Sequence, residues 1–279
     1  MHDKIEKLSN GTILQHGKLS DRIYIMKLED KDASNILDTL SELSLDNNYS
    51  KIFCKIPQWV VPLFLSDGYR VEAIIPKFYN SDEDVFFVSK FLTNERLLNI
   101  DDVKLEYFSL FLKEFDKTAV KPKKLSKDLN IEKLESSDVE AITQLYLEVF
   151  ETYPFPIHNP GYIFKTMQED VHYFGIKKEG KLLAVASSEV DSKGKNAEMT
   201  DFATSKKHLG NGYAGILLKT MQKEMKNMGI KTLYTIARLS SLGMNKTFLN
   251  ANYTYSGTLI NNTNISGSIE SMNVYYKHL

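Results

Sequence analysis

The chain has 279 residues, 42% of them hydrophobic and 25% charged, enough for about two soluble α/β-sized domains; no stretch approaches the ~18 uninterrupted apolar residues of a transmembrane helix. Its 35 basic and 36 acidic residues leave a formal net charge of -1, so neither nucleic acid nor a membrane surface is an expected partner. A single cysteine, Cys54, excludes an intramolecular disulfide and a cysteine-rich zinc site, and the six histidines show no ligand spacing, so no metal is expected. The opening MHDKIEKLSN carries no apolar leader, which points to a cytoplasmic protein.

In the first half, the pattern predicts a helix near 33–45, a strand over 51–56, a helical piece around 60–66, then Gly68-Tyr69 and strands near 71–75 and 85–89. Cys54, without a paired base, reads as a core residue rather than a nucleophile. The stretch 116–128, DKTAVKPKKLSKD, sets five lysines around a proline and reads as a linker, dividing an N-terminal domain within 1–120 from a second domain over 128–279.

In the second half, Val139, Ile142, Leu145, Tyr146 and Val149 fall at helical spacing after a Ser-Ser-Asp start. ETYPFPIHNPGY follows, with three prolines that argue for a rigid aromatic loop. A hairpin over 173–177 and 182–190 turns at Glu179-Gly180, and a strand over 196–204 runs into Leu209-Gly210-Asn211-Gly212-Tyr213-Ala214. Ile216, Leu217, Met221, Met225 and Met228 mark a helix over 214–228, stopped by Gly229. A strand over 232–237, a helix over 242–250 and strands near 255–261 and 269–277 close the chain. The first half replays the later part of this order, down to an aromatic after a Gly or Asn suited to φ > 0, which reads either as an internal duplication or as a generic α/β succession. In the first half, Leu28-Glu29-Asp30-Lys31-Asp32 stands before the helix in place of a glycine loop, and acids there would repel a phosphate.

A strand, a Gly-x-Gly turn and an amphipathic helix together suit an anion, because glycines let the backbone approach and the helix start offers free N–H groups and a favourable dipole. The turn lacks the G-K-[ST] of a Walker loop and the third glycine of a dinucleotide fingerprint, so ATP and NAD fit poorly.

With that order around it, the region 128–279 resembles the GCN5-related N-acetyltransferase (GNAT) family, whose pyrophosphate motif falls on Lys207, His208, Leu209, Gly210, Asn211 and Gly212. Lys207 stands at the family's Arg/Gln position, and Leu209 where an arginine is common. NAEMTDFAT at 196–204, TIARLSSLGMN at 235–245, GTLINNTNISGSIESMNVYYKHL at 257–279 and GYRVEAIIPKFY at 68–79 look like the β-lysine N-acetyltransferases over nearly the whole chain. The resemblance implies an α/β protein with a GNAT fold in its C-terminal half and a smaller α/β N-terminal domain, a degenerate GNAT-like copy if the duplication is real. It also implies acetyl-CoA as cosubstrate and the ε-amine of β-lysine as acceptor. The product would be a compatible solute for osmoprotection, with a lysine 2,3-aminomutase as a pathway partner. The rivals are another small amine or protein lysine as acceptor, or a non-catalytic coenzyme A sensor, the latter suggested by Leu209 and Phe248.

A lysine-type amine with a pKa of ~10.4 is neutral in about one molecule in 2,500 at pH 7, so deprotonation costs about 4.6 kcal/mol. The resemblance implies a proton acceptor on the strand before the glycine turn, where Glu198 and, next, Asp201 stand. In a regular strand these two point to opposite faces, and only a bulge would bring them together. Backbone N–H groups of Phe202, Ala203 and Thr204 are expected at the acetyl carbonyl, with Leu209, Gly210, Asn211, Gly212, Tyr213, Ala214 and Asn245 on the cofactor. Phe248 occupies the place of the family's acid tyrosine, leaving Tyr253 or Tyr255 or solvent to protonate the thiolate. For the acceptor, Arg238 is expected to clamp the carboxylate, Tyr153, Phe155 and His158 to wall the pocket, and Asn261, Asn262, Asn264, Glu270 and Asn273 to read polar groups.

Overall fold

The computed structural model describes residues 3–116 and 125–279, so most of the segment expected as a linker lies outside the described residues. Two sheets face each other. The first is built from β1 (Lys4–Lys7), β2 (Ile13–Gly17), β3 (Arg22–Lys27), β4 (Lys51–Pro57), β5 (Arg70–Tyr79) and β6 (Glu83–Phe91), in the order β1-β2-β3-β4-β6-β5. Helices α1 (Ile36–Asn47) and α2 (Val61–Ser66) cover its outer face, where Ile23, Ile25, Ile52 and Cys54 pack with Ile36, Leu40, Phe64 and Tyr69. Cys54 is fully buried and its thiol is pushed well up by burial, consistent with a core residue.

The second sheet holds β7 (Asn130–Lys133), β8 (Val171–Lys178), β9 (Lys181–Asp191), β10 (Asn196–Thr204), β11 (Thr232–Arg238), β12 (Thr254–Ile265) and β13 (Ser268–His278), in the order β12-β13-β11-β10-β9-β8-β7. Helix α7 (Tyr213–Asn227) crosses from β10 to β11 and buries Leu217, Leu218, Met221 and Met225 against Ala197, Met199 and Leu233. At about 1.5–3 kcal/mol per fully buried large apolar side chain, that stripe fixes the helix on the sheet. Helix α8 (Leu242–Asn250) lies on the same face. The opposite face carries α5 (Val139–Val149) and α6 (Pro160–Gln168) toward one end and the first sheet toward the other.

The two halves share one topology. Dropping β7, the spatial order β8-β9-β10-β11-β13-β12 repeats β1-β2-β3-β4-β6-β5, with a parallel step at β3/β4 matching that at β10/β11. Gly68 at φ 81° and Asn252 at φ 63° occupy equivalent turns, each followed by a tyrosine set edge-on to a phenylalanine: Phe64–Tyr69 at 5.0 Å and Phe248–Tyr253 at 5.2 Å. The N-terminal half repeats the strand order of the C-terminal half without its glycine turn.

Some elements depart from expectation. The proline loop gives way at Pro160 to helix α6, because Asn159 caps Gly161 N–H at 2.8 Å and a proline at the first helical position lacks only a donor that would have no partner there. Strands β1 to β3 were not expected; β3, RIYIMK, is buried on both faces and shows no alternation. Helix α3 (Asn94–Leu98) and helix α4 (Asp102–Glu114) were likewise unforeseen, and α4 packs with the second sheet's core through Phe108, 5.3 Å from Tyr255.

Between the sheets, three cations of the first half grip the irregular stretch 260–262 of β12. Lys51 Nζ donates to Ile260 O at 2.6 Å and Arg96 Nε to Asn261 O at 2.8 Å, while Arg22 Nη1 donates to Asn262 O at 2.9 Å. Glu72 pairs with Lys51 at 3.1 Å and accepts from Ile260 N–H at 2.9 Å. Gly257 lies so close to Glu72 O that an added Cβ would stand 2.1 Å from it.

Candidate active site

The wall of a cleft of about 1880 Å³ is shared by both sheets. One part of it is the turn before α7. Gly210 and Gly212 take φ of 79° and 78°, a region that costs an L-residue about 1–2 kcal/mol. Gly212 is the N-cap of α7 and offers no side chain, so the N–H groups of the first helical turn, from Tyr213 on, are not capped by it. With the helix dipole behind them they form an anion cradle. Leu209, Gly210, Gly212, Tyr213 and Ala214 all line the cleft, whereas the Asn211 side chain turns back to donate to His208 O at 2.9 Å.

Next to this cradle the sheet opens. Strands β10 and β11 pair only from Asn196↔Thr232 to Glu198↔Tyr234, although β10 continues along β9 to Thr204 and β11 continues along β13 to Arg238. The cause is a bulge in β10 between Thr200 and Ala203, with Asp201 at φ 52°, which bends the strand away from its parallel neighbour. Phe202 and Thr204 line the resulting gap, while the Ala203 side chain is buried in the core on the other side of the strand. A groove lined by unpaired strand edge and ending at an uncapped helix start fits a long thioester-bearing arm with a diphosphate.

The same bulge decides where the acids point. Glu198 stands opposite Glu189 on β9 and opposite Tyr234 on β11, so the three share one face, directed at the first sheet. Asp201, turned by the bulge, accepts from Ser187 Oγ at 2.6 Å and from Tyr153 OH at 2.5 Å, and so joins that face. Lys55 from β4 reaches across and donates to Tyr234 OH at 2.8 Å. A phenol has one proton, so with the ammonium donating to it, Tyr234 gives its own to Glu198.

Burial is the main cause of the acids' titration. It raises the Glu198 carboxyl above the usual range, against the pull of Lys55 and the Tyr234 hydrogen bond. Glu189 is pushed up to about 8 by burial and by the negative charges of Glu198 and Asp201. Burial also raises Asp201, against its three hydroxyl donors Ser187, Tyr153 and Thr200. Lys55 is lowered by burial, and the neighbouring carboxylates oppose that shift.

Other expected site residues are placed elsewhere. Asn245 is fully buried, donating to Arg238 O and Ser241 O and accepting from Asn273 Nδ2 and Tyr275 OH, so it braces the turn between β11 and α8 rather than lining the cleft. Arg238 lines the cleft, but its Nη2 pairs with Glu270 at 2.5 Å and its Nη1 donates to Ser266 Oγ. Glu270 opens instead onto a separate small depression beside Lys104. Asn261 is committed to Arg96 O and Asn99 O, Asn264 accepts from Thr152, and Asn273 sits in the core. Tyr153 and Phe155 line the cleft; His158 does not, nor do Tyr253 and Tyr255. Glu189, Lys55, Tyr24 and Tyr234 were missed. Their signal was there: Glu189 interrupts the apolar run LLAVASSEV and Lys55 the run IFCKI, each a charge at a position the pattern reserves for the interior.

Comparisons with known proteins agree with this geometry. Residues 139–248 match the Acetyltransferase (GNAT) family. Beta-lysine N(6)-acetyltransferase of Methanococcus maripaludis is 40% identical over 96% of this chain and 96% of its own length. The Methanosarcina mazei protein of the same name is 37% identical over 51% of this chain and 53% of its own. N-acetyltransferase YodP of Bacillus subtilis is 27% identical over 96% of each. The chain belongs to the GNAT family of acetyl-CoA-dependent N-acetyltransferases.

Proposed function

We propose that the chain transfers the acetyl group of acetyl-CoA to the ε-amine of β-lysine, giving N-ε-acetyl-β-lysine. The observation that carries this reading is the acidic face formed by Glu189, Glu198 and Asp201 beside the groove that ends at α7, because a diamine arrives as a dication and must lose a proton there. The near full-length likeness to the M. maripaludis enzyme supports the same acceptor.

Bound acetyl-CoA supplies a thioester activated toward amines. The first-turn N–H groups of α7 would hold its diphosphate, and the β10 edge from Phe202 to Thr204 would hold the arm and polarise the acetyl carbonyl. Glu198 takes the proton from the ammonium, its raised pKa bringing it closer to the amine's own and easing the transfer. Glu189, pushed up to about 8, keeps its proton at neutral pH and leaves the negative charge on its neighbour Glu198, which draws the cationic acceptor inward. Asp201, engaged by three hydroxyls, orders Tyr153 and the aromatic loop instead of acting as base. With neither Tyr253 nor Tyr255 in the cleft, solvent protonates the departing thiolate, whose pKa of ~8.5 permits it.

On this reading the protein acts in the cytoplasm, downstream of a lysine 2,3-aminomutase and in the making of a compatible solute. Among the described residues no helix is long and apolar enough to cross a membrane. The test is a steady-state comparison of β-lysine, α-lysine and simple diamines with mass spectrometry locating the acetyl group. β-Lysine should give the highest kcat/KM with acetylation at the terminal amine; a preferred diamine without a carboxylate would refute the acceptor.

A further inference from the structure

Arg22 begins β3, in register with Lys51, and Tyr24 two residues on is in register with Phe53. Arg22, Tyr24, Phe53 and Lys55 all line the cleft, from the side of the N-terminal half. The Arg22 residue is only 3% exposed. Its guanidinium donates to Asn262 O at 2.9 Å and Gln15 Oε1 at 3.3 Å, both neutral, and among the described residues its Nε–H has no partner. Burial lowers it only to about 10, so it remains a cation at neutral pH.

Three other cations of this region have acids to meet. Lys51 pairs with Glu72, Arg238 with Glu270, and Lys55 feels Glu198 and Glu189. Arg22 has none: Lys51 and Arg96 repel it, Asp3 attracts it, and among the described residues no carboxylate forms an ion pair with it. A buried guanidinium without a counter-ion is costly, and its fork of N–H donors matches a carboxylate.

We propose that Arg22, from the half of the chain that lacks the glycine turn, binds the carboxylate of the amino-acid acceptor, so that the acceptor site is shared between the two sheets. This rests on the reading of the acceptor as an amino acid. The Tyr24 phenol lies within the electrostatic reach of both Glu198 and Arg22, which sets it between the acidic face and the free cation. From Arg22 to the level of Lys55 is four strand positions, about 13 Å of backbone, narrowed from both ends by long side chains. The rings of Tyr24 and Phe53, stacked at 4.6 Å, line the interval where the acceptor's methylene chain would run. The ε-ammonium then meets the acids at one end, and at the other the carboxylate, with the β-ammonium beside it, meets Arg22.

The experiment compares β-lysine with its carboxamide and with 1,4-diaminopentane, its decarboxylated analogue, in wild type, Arg22→Gln and Arg22→Lys. Wild type should prefer the acid by about 100-fold in kcat/KM, the scale of a buried charged hydrogen-bonded pair. Arg22→Gln should erase that preference by raising KM for the acid, with kcat/KM for the carboxamide changed less than about threefold and Arg22→Lys between the two. A wild-type urea-unfolding transition and the retained turnover of the carboxamide report that the first sheet of each variant is folded, and acetyl-CoA affinity by calorimetry reports the second half. Equal use of acid and carboxamide by wild type overturns the proposal without any variant, and so does an Arg22→Gln protein that binds acetyl-CoA yet keeps the preference. If wild type acetylates another amino acid in place of β-lysine, the acceptor reading fails while Arg22 is judged on that acid and its amide; if it accepts only amines without a carboxylate, both fall.

Discussion

At the residue scale, Glu198 and Glu189 face each other across one ladder position, so they titrate as a pair whose protons are shared. Glu198→Gln should lower kcat by about 10²–10³, the worth of a positioned general base, with acetyl-CoA affinity unchanged by calorimetry; wild-type turnover across pH would remove it as base. The charge of Glu198 helps hold Glu189 near 8, so Glu189 is neutral where the base ionises, and Glu189→Gln should leave the acidic limb of the pH–rate profile in place while kcat at pH 9 falls less than in Glu198→Gln. The same residue makes a stability prediction of definite sign. Glu189 titrates near 8 in the fold, above the ~4.3 of an unfolded glutamate, so its contribution is fully present below that unfolded value and is lost as pH rises through 8. Thermal unfolding of Glu189→Gln should therefore show a gain on the order of 1–2 kcal/mol over wild type at pH 9 and none at pH 4. Glu198 and Asp201 were legible in the sequence because they sit on the strand leading into the glycine turn. Their shared face was not, since it depends on a bulge that no local pattern in EMTDFAT announces.

At the element scale, the groove exists because α7 begins on a residue that cannot cap it. Gly212→Val adds a β-branched side chain at φ 78° and covers the first-turn N–H groups, so acetyl-CoA Kd should rise by about tenfold or more, with a modest loss in stability. An unchanged Kd would detach the cradle from the diphosphate. The Gly-x-Gly turn and the stripe from Ile216 to Met225 show this element plainly in the sequence, whereas Met228, expected in the stripe, is exposed just past the helix end. Helix α6 is hidden in the sequence because proline, a breaker inside a helix, here follows the cap Asn159 and starts one. Asn245 marks the limit of transferring a role by string alone: it lies in a matching segment, yet its amide is spent on five partners in the core. Asn245→Ala should cost about 2–3 kcal/mol in urea unfolding, since several groups lose their partner at once, while the acetyl-CoA KM stays within about twofold.

At the scale of the molecule, one topology serves two purposes: the half without a glycine turn presents its sheet as the far wall of the other's cleft. The repeat was readable where backbone geometry demands it, at Gly68-Tyr69 and Asn252-Tyr253, and unreadable in β1 to β3, whose pairing is set by long-range burial. Packing of the halves depends on Lys51 and Glu72, which together hold both the C=O and the N–H of Ile260 in a site where each side chain is almost wholly buried. Lys51→Met leaves the Glu72 carboxylate buried without its counter-charge, and by the usual cost of breaking such a pair it should lose about 3–5 kcal/mol in urea unfolding. Adding Glu72→Gln removes the stranded charge and still accepts from Ile260 N–H, so the double variant should recover more than about 1 kcal/mol, a coupling that additive losses would contradict. Because the α7 turn is built wholly within the second half, acetyl-CoA affinity should survive both variants. The acceptor's KM should rise as the first sheet loosens, and a parallel loss of acetyl-CoA affinity would mean that the two sheets support the whole cleft together rather than dividing it between donor and acceptor.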